Sequence, residues 1–417
     1  PASCPLTPAP CPLTPDPKIL HVAPIGADRC TGLAHSIPAL ARAQAALGAE
    51  IELLTTDPKS PFDPTPLPLN PSTTQPPNNS TTQQLNPPTT QRLNDSTTQA
   101  TWWFDSGFDR KGFLGRIARK AFSLVVFHST YIPAHLKIAT VCRGAGVPYI
   151  LTPRAGLTDQ AQARKRWKKA LANRLGFGRF VRGASALHFL TPLEKSRSRT
   201  WGRPSFVVGN GIDLPNAADQ RDSVTATDQP IRVCFIGRLS IRPKGIDLLL
   251  DALALWAKED HSVADRVNVS LYGPGSRRER EWIQNKLGQE KLAPWVSLEE
   301  AVAGSAKAEV LVRSDLFVHT SRFEGMPMAV LEALSYGTPC LLSPGTGLAD
   351  EVEQAGAGIA VGSTVESVAN ALAGLDRQAL RRMRPSARAF AEQRSWPIIA
   401  RDTLNAYRPY RLARQPR

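Results

Sequence analysis

Twice along the chain, short apolar runs alternate with helix-length segments, and no feature constrains the fold more. The first series holds "KILHVA" (18–23), a helix through "LARAQAALG" stopped by Gly48, and "EIELLTT" (50–56). It resumes with "LVVFH" (124–128), a helix near 132–145 and "VPYILT" (147–152). Pro38 disturbs the first helix and sets its expected start near Ser36. The second series runs "IRVCFIG" (231–237), helix 246–258, "VNVSLYG" (267–273), helix 277–287 and "LFVHT" (316–320). A helix beyond Gly325, "TPCLL" (338–342) and "GIAV" (358–361) complete it. Repeated strand–helix units predict an α/β fold of two Rossmann-like doubly wound domains, divided near "NAADQRDSVTATDQP" (216–230). The expected boundaries are 17–212 and 213–384, with 385–417 as a final segment. Ligands bind beyond the carboxyl ends of strands in such sheets, so a cleft between the domains is the expected site.

Two stretches stand outside this pattern. Residues 1–16 repeat "CPLTPAP" and "CPLTPDP" and have no core to build, so they read as a disordered extension without the makings of a secretory signal. Residues 58–101 read as a disordered insertion, because 69–100 divide into the polar octads "LNPSTTQP", "PNNSTTQQ", "LNPPTTQR" and "LNDSTTQA". Each octad carries too little apolar surface to stack as a solenoid. The cysteines at 4, 11, 30, 142, 234 and 340 show no Cys-x-x-Cys spacing and no clustered histidines, which argues for free thiols and against zinc. No apolar run approaches the roughly 18 residues of a membrane span.

Three motifs of the second series carry chemistry. "GRLSIRPKG" (237–245) puts Arg238 just after a strand and Lys244 at a helix entry, where two cations and a helix N-terminus suit a diphosphate. Two solvated loop charges would fit the same spacing. "YGPGSRRERE" (272–281) places Gly273 and Gly275 where backbone can approach a ligand, although a tight turn asks for glycine as often. In "TSRFEGMPMAVLEALSYGTPC" (320–340), Pro327 marks a helix start whose free N–H groups suit phosphate oxygens. Glu324 lies at the loop edge, and Glu332 lies inside the helix among Val330, Leu331, Ala333 and Leu334, where a carboxylate wants partners. Helix capping by Glu324 and a solvated face for Glu332 are the alternatives.

These motifs resemble family-4 retaining glycosyltransferases of the GT-B fold: "GRL…KG", "GPG" and "EGMPMAVLEALSYGTP" with two glutamates eight apart. "VVGNGID" (207–213) is similar to that family's linker, and "TPRAGL" (152–157) to a segment of its bacterial polysaccharide branch. The resemblance covers roughly 18–56 and 121–375. It implies a nucleotide-sugar donor, UDP- or GDP-linked, held mainly by the second domain, and a glycan or lipid-linked acceptor held mainly by the first. Carried over by position, Arg238 and Lys244 hold the diphosphate, and Glu332 holds ribose hydroxyls. Glu324 lies at the transferring sugar with the backbone of Gly325 and Met326. Gly32 lets the first domain approach the phosphate, although "CTGLA" lacks the paired glycines of many members. Pro153–Arg154 stands where many members have a histidine, so Arg154 and His128 are acceptor-side candidates and no histidine role transfers. A satisfied core histidine is an equal reading of His128. The resemblance also implies retention of configuration and a last helix, roughly 385–410, that crosses back to the first domain. No Asp-x-Asp occurs, so no metal-bound diphosphate is expected.

The net charge of +15 is concentrated, with 20 Lys/Arg against 5 Asp/Glu between residues 101 and 213. "RKRWKKALANRLGFGRFVR" (164–182) and "RKGFLGRIARKAF" (110–122) mix cations with aromatic and aliphatic side chains and contain no acid. They predict contact with an anionic membrane surface, hence a cytoplasmic protein peripheral on the inner face. A solvated helix face is the plainer alternative. A non-catalytic or nucleic-acid-binding protein is the rival class, but no nucleic-acid motif is present and charge alone leaves Glu324 and Glu332 unexplained.

Overall fold

The computed structural model describes residues 17–25, 32–56, 100–103, 110–216 and 229–412. The Pro-rich extension and the octads up to residue 99 lie outside the described residues. Among the described residues thirteen strands form two sheets, every one of them parallel to its neighbours. The first contains β1 (Lys18–Ala23), β2 (Glu50–Thr55), β3 (Ala100–Trp103), β4 (Leu124–His128), β5 (Tyr149–Thr152), β6 (Ala186–Phe189) and β7 (Ser205–Val207). The second contains β8 (Ile231–Ile236), β9 (Val267–Tyr272), β10 (Val296–Glu299), β11 (Leu316–His319), β12 (Cys340–Leu342) and β13 (Gly358–Ala360). Their orders are β3-β2-β1-β4-β5-β6-β7 and β10-β9-β8-β11-β12-β13. Strand order therefore reverses between β1 and β4 and again between β8 and β11, which opens a crevice beyond the carboxyl ends of those pairs.

Helices cover both faces of each sheet, as the apolar runs require. On one face of the first sheet, Leu20, Val22, Val125 and Phe127 pack with Phe177 and Phe180. On the other, Ile19, Leu53, Val126 and Ile150 pack with Ile37 and Ala41 of the Gly32–Ala46 helix. In the second sheet, Phe235, Leu271 and Val318 meet Leu249 and Leu253, while Ile236, Phe317 and Leu342 meet Val330 and Leu334. Each such side chain contributes about 1.5–3 kcal/mol by leaving water.

The chain passes between the domains twice, and the passages touch. Ile212 donates its N–H to Arg394 O at 2.9 Å, and Trp396 donates to Ile212 O at 3.3 Å. The Trp396–Tyr407 helix then lies on the first domain. Trp396, Ile399 and Ala400 pack with Ala39 and Leu40, and Tyr407 is fully enclosed beside Ile37 and Ile150.

Several details depart from the sequence reading. The first helix starts at Gly32, not near Ser36, with Pro38 inside it. One missing N–H costs less than unwinding a turn whose Ala34, Ser36 and Ile37 are buried. The insertion predicted to end at 101 runs into β3, because Ala100–Trp103 pair with Ile51–Leu54. Strands β6, β7 and β10 and the Gly304–Arg313 helix had no counterpart in the sequence reading.

Candidate active site

The loops after β8 and β11 flank the crevice of the second sheet, and this topology brings the Arg238–Lys244 motif to the Glu324 loop. The loops are clamped together. Thr320 Oγ1 donates to Gly245 O at 2.8 Å, and a β-carbon on Gly245 (φ +67°) would lie 1.9 Å from Thr320 O. Only glycine fits there. Lys244, at the end of the short Ile241–Lys244 helix, forms an ion pair with Glu324 Oε1.

Two further groups converge on the same oxygen. Ser321 Oγ donates to Glu324 Oε1 at 2.8 Å, and His319 Nε2 lies 3.1 Å from it. The His319 ring is stacked between Phe235 and Phe317, with centroids 5.3 and 5.8 Å away. Burial lowers the His319 pKa, so the ring is neutral and donates its Nε2–H. Burial alone would raise the Glu324 pKa. The His319 hydrogen bond and the Lys244 charge outweigh it and hold the carboxyl at about 2. Glu324 is therefore an anion at any working pH, an acceptor of hydrogen bonds and not a proton donor. Lys244, His319 and Ser321 all bind Oε1, which leaves Oε2 for a ligand.

Arg238 is exposed beyond β8, with no ion pair to any described residue. Gly273 and Gly275 pack against the Arg238 loop: a β-carbon on Gly273 (φ +155°) would lie 1.8 Å from Gly237 O, and one on Gly275 would lie 2.9 Å from Leu239 Cβ. Their observed close approach is to this loop. Glu332 sits on the Met328–Ser335 helix and is paired with Lys307 of the Gly304–Arg313 helix. Glu324 and Glu332 thus belong to separate ion pairs.

The first domain meets this site directly. Gly32 and Met328 each begin a helix, and a β-carbon on Gly32 would lie 3.7 Å from Met328 Cγ, so two helix N-termini from opposite domains face one another. A β-carbon on Gly325 would lie 3.6 Å from Arg154 Cα. Met326 turns its side chain to the linker, where Asn210 donates its N–H to Sδ at 3.0 Å.

Arg154 and Ala155 both have left-handed backbone, φ +51° and +62°. For residues with a β-carbon this is costly. Glu194, 2% exposed, holds the turn by accepting N–H bonds from Ala155 at 2.6 Å and Leu190 at 2.8 Å. Arg154 presents its backbone to Gly325 and sends its guanidinium inward, where Nη1 donates to Ser36 Oγ at 3.2 Å. Burial lowers its pKa to about 10, so it stays charged. His128 lies in the interior, 1% exposed, with Nε2 2.9 Å from His21 Nδ1. Its burial matches the core-histidine alternative. His319, Ser321, Lys307 and Glu194 were not singled out by sequence. Only His319 and Ser321 carried a signal, since they flank Thr320 at the end of the strand leading to Glu324.

Residues 230–377 match the model of "Glycosyl transferases group 1", and residues 31–211 match a "Glycosyl transferase 4-like domain". The chain belongs to the group 1 glycosyltransferases. A glycogen synthase of Halorhodospira halophila is 34% identical over 120 residues, which are 28% of this group 1 chain and 23% of that protein. A lipopolysaccharide 1,6-galactosyltransferase of Salmonella typhimurium is 31% identical over 118 residues, or 31% of its own length. The chain therefore spans less than a third of either curated relative. Solved structures match over far more of the fold. A sucrose-phosphate synthase of Thermosynechococcus elongatus covers 94% of the chain and 98% of its own, with TM-score 0.66 and 17% identity. Anabaena HepE, solved with UDP and glucose, covers 94% and 100%, with TM-score 0.63 and 17% identity. Two Rossmann-like domains facing a cleft are the GT-B arrangement.

Proposed function

We propose that this group 1 chain moves a hexosyl group from a nucleoside diphosphate sugar to a hydroxyl of a glycan or lipid-linked acceptor, with retention, in polysaccharide or glycolipid assembly. The observation that carries this reading is Glu324, held ionised through one oxygen by Lys244, Ser321 and His319 at the strand-order reversal. Its other oxygen suits a sugar hydroxyl. Lys244 has protons beyond the one given to Glu324, and with Arg238 it suits a diphosphate. The Met328–Ser335 helix supplies N–H groups and a favourable dipole for the same anion. Glu332 then accepts hydrogen bonds from ribose, with Lys307 holding the carboxylate in place.

In the proposed reaction the bond from the anomeric carbon to the diphosphate oxygen breaks. The acceptor oxygen bonds to that carbon on the same face, and its proton passes to the departing diphosphate. Catalysis is electrostatic: Arg238, Lys244 and the helix N-terminus stabilise the charge that grows on the diphosphate. The family membership and HepE, a fold neighbour whose structure holds UDP and glucose, support a donor of this kind. Calorimetric titration with UDP, GDP and ADP, on the wild type and on Glu332→Ala, tests it. Saturable binding of one nucleotide, weakened in the variant, supports the donor site. No binding of any of the three by folded protein sinks it.

A further inference from the structure

The loop that faces Gly325 leads directly into a helical segment with an unusual outer face. The segment comprises Asp159–Ala163, Arg166–Ala172, a five-residue π-helical turn (Asn173–Phe177) and Gly178–Arg182. Its inner side is core, since Phe177, Phe180 and Val181 pack with Phe127 and Tyr149. Its outer side carries Trp167, Leu171 and Leu175, which are 68%, 50% and 73% exposed, the three most exposed large apolar side chains among the described residues. A step of four places Trp167 and Leu171 on one side of the Arg166–Ala172 helix, and Leu175 follows one turn later in the π-helical turn.

Lys165, Arg166, Lys168, Arg174 and Arg179 are interleaved with these three, exposed, and without ion-pair partners among the described residues. No Asp or Glu occurs between Asp159 and Glu194 to neutralise them. The platform is fastened to the domain. Tyr131 Oη lies 2.9 Å from Gln162 Oε1 and 3.2 Å from Asn173 Oδ1, and Lys169 bonds to Ala161 O. The other basic segment differs, for Ile117 and Phe122 are fully buried and Arg116 is tied to Glu52.

We propose that Trp167, Leu171 and Leu175, with the cations between them, dock this chain on an anionic bilayer. An indole at headgroup level, leucines at the acyl boundary and cations among anionic headgroups satisfy every group on this face together. A nucleic acid would neutralise the cations and leave Leu171 and Leu175 in water. No described helix is long and apolar enough to cross a membrane, so the contact is peripheral. The segment follows the Arg154–Ala155 turn, so docking sets the acceptor side of the cleft near the lipid surface. Resting on the transferase reading, this makes the acceptor a lipid-linked one.

The test is co-sedimentation of the full chain with vesicles of phosphatidylcholine alone and of phosphatidylcholine with phosphatidylglycerol. Calorimetric titration with UDP, GDP and ADP and sedimentation velocity run in parallel. The expected result is at least tenfold stronger partitioning to the anionic vesicles, reduced by high salt. Trp167→Ser/Leu171→Ser/Leu175→Ser and, separately, Lys165→Glu/Arg166→Glu/Lys168→Glu each lose tenfold or more, with nucleotide binding unchanged. Equal partitioning to both vesicles, or wild-type partitioning by either variant, overturns docking. So does an oligomer that the apolar variant dissociates, or a DNA duplex that outcompetes the vesicles. Vesicle binding without binding of UDP, GDP or ADP would refute the donor site and leave the docking face standing.

Discussion

Lowering the pH from about 7.5 to about 5.5 should loosen the first sheet far more than the second. Four buried histidines lie in the first domain: His21, His128, His135 and His188. Burial is the leading cause of every shift, lowering His21 and His188 from 6.5 to about 4, His135 to about 3, and His128 well below 6.5. The folded state keeps them neutral while the unfolded chain takes up protons near 6.5. Stability is thus complete above that pH and falls as pH drops towards the folded values. Between the two conditions His21, His135 and His188, protonated in the unfolded chain and neutral in the fold, together cost about 4 kcal/mol. His128 adds to the loss, and Glu194, whose pKa burial raises, opposes it. In the second sheet only His319 is buried among the described histidines. Hydrogen exchange read by mass spectrometry, corrected for intrinsic rates, separates the sheets where a global transition would not. Peptides from β1 and β4 should lose several kcal/mol of protection, and those from β8 and β11 at most one histidine's worth. A loss in β1 and β4 no larger than in β8 and β11 would refute the reasoning, because the histidines would then be protonated or hydrated in the folded state.

Other perturbations act nearer the cleft. Glu332→Ala removes the proposed ribose acceptor and should weaken the bound nucleotide by about 1–3 kcal/mol, read by calorimetry; unaltered affinity would remove Glu332 from the site. Glu324→Gln keeps the shape but drops the charge beside Lys244, so kcat should fall about 10²–10³-fold with nucleotide affinity nearly kept. A Glu324→Gln enzyme of wild-type rate would show that the anion has no part in transfer. Glu194→Gln cannot accept both N–H bonds well and should destabilise the first domain by about 1–3 kcal/mol, seen as raised exchange at Ala155 and Leu190. Unchanged exchange there would mean the turn holds without it. Gly245→Ala drives a methyl into Thr320 O and should lower the thermal midpoint of the second domain by several degrees; a midpoint within a degree of wild type would show that the clamp yields.

Much of this was readable before any coordinates, for definite reasons. Strands such as "LVVFH" and "IRVCFI" are buried along most of their length, so each carries an apolar run of four residues, Leu124–Phe127 and Val233–Ile236. Ser205–Val207 and Val296–Glu299 are short, mostly half-buried edge strands with no such run. Ala100–Trp103 follows directly on polar repeats, and only its partner Ile51–Leu54 makes it a strand. At the site, Glu324 and Glu332 stood out because a carboxylate by a helix mouth is conspicuous in one dimension. Their partners did not. Lys307 is 25 residues from Glu332, Lys244 is 80 from Glu324, and Glu194 is 39 from the turn it holds. Nothing local in the sequence marks such pairs. Pro38 misled because propensity favours a break where packing supplies the reason to continue.

The contact between Ile212 and Arg394–Trp396 has a consequence for how this protein is made. The first domain has no contiguous gene segment, since its interior is closed by Tyr407, whose hydroxyl lies 3.2 Å from His188 Nδ1. A ribosome releasing residue 212 has delivered a sheet whose Gly32–Ala46 helix still shows Ala39 and Leu40 to water. Their cover, Trp396 and Ile399, arrives nearly two hundred residues later. Through most of its synthesis the nascent chain therefore carries an unfinished domain, with the second folding ahead of the first's completion. Expressing residues 17–212 alone would reproduce that unfinished state. Grafting 396–412 onto it would restore the missing wall.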